Sequence, residues 1–111
     1  MNDRLTPAAA LARLAEADGR RFLGVFRHGS LEVEIYRPEK VDRQAAHSRD
    51  EVYVVISGSG QFALAGARQP FAAGEVLFAA AGVEHRFEDF TDDFATWVFF
   101  YGPEGGEAVG A

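Results

Sequence analysis

His47-Ser48-Arg49-Asp50-Glu51-Val52-Tyr53-Val54-Val55-Ile56-Ser57-Gly58 is the stretch on which the reading of this chain turns. Residues 52–56 are β-branched or aromatic without a break, which favours a strand, and Gly58-Ser59-Gly60 ends it. Two potential metal ligands stand at the start of that strand. His47 and Glu51 are four positions apart, and on one straight strand at about 3.3 Å per residue they would be separated by roughly 13 Å, too far to share an ion. The polar Ser48-Arg49-Asp50 reads instead as a turn that folds the imidazole back beside the carboxylate. Further on, Gly74-Glu75-Val76-Leu77-Phe78-Ala79-Ala80-Ala81-Gly82-Val83-Glu84-His85 has the same make-up of strand, turn and histidine.

Outward from this stretch, almost every signal is β. Residues 22–27 and 31–37 flank the hairpin turn His28-Gly29-Ser30, which places His28 at the surface. Leu31, Val33 and Ile35 alternate with Glu32, Glu34 and Tyr36, predicting one buried and one largely solvated face. Residues 39–46 are polar and irregular. Short strands are expected at residues 61–65, 68–71, 75–79 and 85–87, with turns at Gly66-Ala67, Gly74 and Ala80-Ala81-Gly82. After the turn Thr91-Asp92-Asp93, residues 94–101 are apolar at both parities, so that strand needs cover on both sides. One side would line an interior, and the other would meet the N-terminal segment or a second subunit.

The one helix signal comes first in the chain. Thr6 is a good N-cap, Pro7 suits the first helical position, and Gly19 stops the helix after Asp18. Ala8, Leu11, Ala12 and Ala15 would share its apolar face, with Leu14 nearby. The organisation expected is a helical segment at residues 1–19, a β-barrel at 20–102 and a flexible, glycine-rich tail at 103–111.

Composition narrows the function classes. A chain of 111 residues, 48% hydrophobic with ten phenylalanines, is one domain with a real core. The absence of cysteine excludes disulfides and thiolate metal sites. A net charge of −6 without a basic cluster opposes binding to nucleic acid or to an anionic membrane. The start Met1-Asn2-Asp3-Arg4-Leu5-Thr6-Pro7 lacks the character of a signal peptide, and no apolar run approaches membrane-spanning length, so a cytoplasmic protein is expected.

Many short strands with close turns point to an all-β antiparallel sandwich or barrel. Within that class, His47-x3-Glu51-x6-Gly58 followed by Gly74-x7-Gly82-x2-His85 resembles the two motifs of the cupin superfamily. The resemblance implies a double-stranded β-helix, the jelly-roll barrel, here with a short N-terminal helix. It also implies one divalent metal inside the barrel, with His47, Glu51 and His85 in ligand positions. Four positions depart from the family pattern: Glu39, Ala45, Ala80 and Asp89. Ala45 matters most, because it stands where the family has its first histidine. Two imidazoles and a carboxylate still match the facial arrangement of non-haem Fe(II) oxygenases, and manganese, nickel or zinc accept the same donors. Gln44 lies close enough in sequence to reach the vacancy.

Alternation from Glu51 puts Tyr53 and Val55 on its inward face, and alternation from His85 does the same for Phe87. With Gln44 and Trp97 these are the candidates for the wall of a small-molecule pocket. The acidic pairs Glu32/Glu34 and Asp92/Asp93 read as solvated faces. Without a metal, Glu51 would be a strand-end carboxylate paired with Arg49 or Arg86. Functionally, a metal-dependent dioxygenase, isomerase or lyase acting on a small organic substrate stands beside a non-catalytic ligand-binding or sensory barrel and a purely structural barrel. The apolar outer positions Val52, Val54 and Ile56 point to a homodimer.

Overall fold

The computed structural model describes residues 4–109. One helix, α1 (Pro7–Ala15), is followed by eight strands: β1 (Phe22–His28), β2 (Leu31–Tyr36), β3 (Asp50–Ser57), β4 (Ser59–Leu64), β5 (Ala67–Ala72), β6 (Val76–Ala79), β7 (His85–Glu88) and β8 (Ala95–Tyr101). The strands form a five-stranded sheet in the order β1-β2-β8-β3-β6 and a three-stranded sheet in the order β5-β4-β7. Every strand pairing is antiparallel. This is an all-β antiparallel sandwich with a short helix, the architecture that the sequence motifs imply. No helix among the described residues is long and apolar enough to cross a membrane.

The chain passes from one sheet to the other between β3 and β4 through Gly58 alone, at φ 84°. A Cβ at this position would lie 2.6 Å from the Cα of Phe94, so conformation and close approach both require glycine. The strand therefore ends at one glycine rather than at three residues, and Ser59 already belongs to β4. The β4–β5 turn lies at Ala65-Gly66, one residue before the position expected.

Two apolar clusters hold the fold together. Between the sheets, Tyr53, Val55, Phe62, Phe71, Ala79, Phe87, Phe94 and Val98 are buried. Phe87 is the hub, with ring centroids 4.9 Å from Tyr53, 5.1 Å from Phe62, 5.3 Å from Phe71 and 4.8 Å from Phe94. These tilted and edge-to-face arrangements are the favoured ones for aromatic pairs. The second cluster lies on the outer face of the large sheet, where Ala10 and Leu14 of α1 cover Val25, Val33 and Ile35. Burying Leu14 there contributes about 2 kcal/mol.

This outer cluster corrects several expectations. The face α1 buries is Ala10 and Leu14, while Ala8, Ala12 and Ala15 are exposed. The helix stops at Ala15, capped by Glu16, and positive φ at Asp18 and Gly19 then turns the chain. Thr6 is the N-cap, its hydroxyl accepting from Ala9 N–H at 3.2 Å. Val33 and Ile35 do face an apolar layer, but it is the one beneath the helix. Glu32, Glu34 and Tyr36, expected in solvent, are half-buried on the barrel side. Trp97 is likewise packed in the outer cluster. It does not line the interior.

The expectation of a loose tail from residue 103 also differs from what is seen. Gly105 N–H donates to Ser48 O at 2.6 Å, and Glu107 N–H donates to the Asp50 carboxylate at 2.7 Å. Residues 110–111, like residues 1–3, lie outside the described part, so the reading of the extreme N-terminus has no structural counterpart here.

Candidate metal centre

β3 presents alternate side chains to the interior, so Glu51, Tyr53 and Val55 are all buried there. His85 opens β7 in the opposite sheet. His47 comes from irregular chain three residues before β3. Two backbone links fix its position: Gly82 N–H donates to His47 O at 2.7 Å, and Ala81 N–H donates to Asp50 at 2.9 Å. The first ties the His47 segment to the turn that leads into β7. The Ser48-Arg49 bend thus folds the imidazole back as the expected turn would, although irregular chain rather than a strand precedes it.

The result is a convergence of three donors. His47 Nδ1 lies 2.7 Å from Glu51 Oε2, and His85 Nε2 lies 2.9 Å from Glu51 Oε1. One donor atom from each residue falls within 4.8 Å of the other two. His47 Nδ1, Glu51 Oε2 and His85 Nε2 are buried, yet none has a hydrogen-bond partner in proper alignment. Three donor atoms gathered this closely, with no aligned hydrogen bond, are an arrangement that a shared cation would satisfy. Glu51 pairs with neither Arg49 nor Arg86; Arg49 is engaged with Glu32 at 2.9 Å, Gly102 O at 3.0 Å and Ser30 O.

The surroundings orient these donors. His85 Nδ1 lies 2.8 Å from the carbonyl of Val83, which makes Nδ1 the protonated nitrogen and leaves Nε2 as the lone-pair donor. The Tyr53 hydroxyl donates to Glu51 Oε1. Burial by itself would raise the Glu51 pKa, but the imidazoles of His47 and His85 and the Tyr53 hydroxyl outweigh it and bring it down to about 2. For His85, burial pulls downward, while the Glu51 carboxylate and the Val83 carbonyl lift the pKa above its ordinary value. Burial and the adjacent Glu51 charge push Tyr53 well up, so it remains a proton donor.

Beside the trio lies a cavity of about 400 Å³. Phe22 of β1, Glu34 and Tyr36 of β2, and Val98 and Phe100 of β8 form one side of it, and the segment Gln44-Ala45-Ala46-His47 forms the other. Of the pocket residues expected from the sequence, Gln44 lines this space. Tyr53 sits beneath Gln44, Val55 and Phe87 belong to the core, and the interior-facing residue of β8 is Val98 rather than Trp97. Gln44 is held by its neighbours: its Nε2 donates to Asp42 at 2.7 Å, and its Oε1 lies 3.3 Å from the Tyr53 hydroxyl.

Asp42 itself was not singled out by the sequence. It is buried at 2% exposure and accepts from Tyr36 OH, Gln44 N–H and Phe87 N–H as well as from Gln44 Nε2. Its carboxylate therefore sets the cavity wall. Nothing in the polar run of residues 39–46 distinguishes it from its exposed neighbours.

Two histidines and a glutamate gathered between the two sheets of a small antiparallel β-sandwich define the class of fold and site seen here. The profile of the cupin domain family matches residues 32–101, and the chain belongs to that family. An uncharacterized protein of Streptomyces coelicolor is 33% identical over 95 residues, covering 84% of this chain and 90% of that one. Among solved structures, a Cupin 2 conserved barrel domain protein from Salinispora arenicola matches with a TM-score of 0.68 at 19% identity, over 92% of this chain and 89% of that one. A chain from a structure of DMSP lyases matches with a TM-score of 0.59 at 26% identity, over 69% of this chain and 41% of that one.

Proposed function

We propose that His47, Glu51 and His85 hold one divalent metal ion and that the adjoining cavity brings a small organic molecule to it. The observation that carries this reading is the burial of three converging donor atoms with no aligned hydrogen-bond partner. Two imidazole nitrogens and a carboxylate oxygen suit iron, manganese, nickel or zinc. Such an ion supplies a Lewis acid and, when redox-active, a place for dioxygen. Tyr53 and the Val83 carbonyl hold the donors in orientation. Ala45 carries no donor, so the side facing the cavity is left to the substrate. Phe22, Val98 and Phe100 keep that space apolar and disfavour bulk water. Oxygenation, isomerisation and elimination can all make use of these elements. The similarity to a chain from DMSP lyases lends support to lyase chemistry.

Assembly belongs to the same proposal. Val76 and Phe78 of β6 are 65% and 47% exposed, and they lie opposite Val54 and Val52 on the part of the outer face that α1 does not reach. A second copy of the chain would cover this surface as a homodimer.

Elemental analysis of the purified protein tests the metal centre. Near-stoichiometric metal in the native protein and its loss in Glu51→Gln is the expected result. A well-folded Glu51→Gln variant with unchanged metal content would remove the glutamate from the ligand set.

A further inference from the structure

The cavity beside His47 has an unusual polar inventory. No lysine or arginine lines it, and its one carboxylate is Glu34, near enough to His47 to feel its charge. Strand register places Glu34 between Gly24 of β1 and Val98 of β8, with Tyr53 of β3 next across from Val98. Directly paired residues share a face, so Gly24, Glu34, Val98 and Tyr53 form one row across the inner surface of the sheet. Two strand spacings, about 10 Å, separate the backbone at Glu34 from β3, which carries Glu51. Gly24 contributes no side chain, and a Cβ built on it meets nothing within 4 Å, so the β1 side of the Glu34 carboxylate is open.

Glu34 is half-buried and has neither an ion pair nor a hydrogen bond among the described residues. Its neighbour on the same face, Glu32, is by contrast met by Arg27 at 3.2 Å and Arg49 at 2.9 Å. Burial raises the Glu34 pKa, Glu32 and Glu51 act in the same sense, and His47 and Arg20 offset this only in part. A half-buried carboxylate whose surrounding charges compensate it only in part is costly, and a cation brought by a ligand lowers that cost. Phe22, Val98 and Phe100 give the cavity its apolar wall.

We propose that this cavity receives a small organic ammonium compound, its cationic nitrogen against Glu34 and an apolar body of a few carbons reaching toward His47. Only the second half of that orientation rests on the metal reading; the Glu34 contact stands without it. The ligand class is thus one with an amine at one end and a metal-binding oxygen or nitrogen at the other, and anions are disfavoured.

The test is a titration of the native protein, followed by backbone amide NMR, in a chelator-treated sample and again with added zinc. The probe is 3-amino-1-propanol, compared with 1-butanol and 4-hydroxybutyrate. Expected are saturable shifts at Gly24, Glu34 and Val98, with the amine binding about tenfold or more tighter than either comparison compound, as for a charge-assisted hydrogen bond in a partly buried site. Glu34→Gln should abolish that preference. Gly24→Lys, which would place an ammonium group of the protein's own beside Glu34, should block the probe. Equal binding of the three compounds in chelator-treated protein overturns the proposal, as does a Gly24→Lys variant that binds the amine like the native chain. Failure of the metal reading would appear separately, as identical titrations with and without zinc while the amine preference persists.

Discussion

Replacing Tyr53 by phenylalanine isolates the part of the proposed centre that orients rather than binds. The Tyr53 ring is fully buried, packed against Phe62 and Phe87 with centroid separations of 5.8 and 4.9 Å, so the substitution keeps the packing and removes only the hydroxyl. That hydroxyl donates to Glu51 Oε1, and a hydrogen bond to a charged group contributes about 1.5–3 kcal/mol. In a chelator-treated sample the melting temperature should therefore fall, at about 4 °C per kcal/mol for a domain of this size, by about 6–12 °C. With metal present, loss of a residue that orients a ligand costs about 10–100-fold in affinity. Competition against a chromogenic chelator measures that affinity, and thermal unfolding with and without metal measures the rest. A Tyr53→Phe protein that melts lower but binds zinc as tightly as the native chain would show that Tyr53 supports the core alone. The hydroxyl would then have no part in setting the Glu51 carboxylate for metal.

Other outcomes follow from the same geometry. Because the folded pKa of Glu51 is about 2 against an ordinary 4.5, its contribution to stability is present above pH 4.5 and lost as the pH falls toward 2. That difference corresponds to about 3 kcal/mol. His85, with its pKa raised, contributes stability below its ordinary value of 6.5 that is lost as the pH rises through its folded pKa. Urea titrations across pH on chelator-treated protein should place the stability maximum between those limits, with the acid loss absent in Glu51→Gln; a flat profile would contradict this. Ala45→His adds a donor at the cavity edge and should tighten zinc binding on the order of tenfold or more in the chelator assay, whereas unchanged affinity would mean that position 45 cannot reach the trio. Val76→Lys/Phe78→Lys should convert a dimer to a monomer in sedimentation velocity, and a native protein that is monomeric at high concentration would refute the interface.

Residue patterns made some of this structure readable and hid the rest for definite reasons. His47, Glu51 and His85 stood out because their spacing fits a family motif, and β3 because its residues are β-branched or aromatic from 52 to 56. Strand β2 also displayed its alternation plainly, yet alternation identifies an apolar face without saying what covers it. Val33 and Ile35 turn toward α1, so the acidic face lines the barrel, and Glu34 was mistaken for a solvated residue. β8 is apolar at both parities, which leaves periodicity unable to choose between Trp97 and Val98 for the interior. Asp42 was hidden for the opposite reason: its partners come from β2, Gln44 and β7, and nothing local announces that so many donors meet at one carboxylate. The tail misled through its glycines, since composition cannot report that Ser48 and Asp50 wait for its backbone N–H groups.

Glu51 belongs to the five-stranded sheet and His85 to the three-stranded one. An ion shared between them would therefore act as a removable staple across the sandwich, in a chain that has no cysteine to supply a permanent one. Cellular metal supply would then govern how long each molecule survives proteolysis.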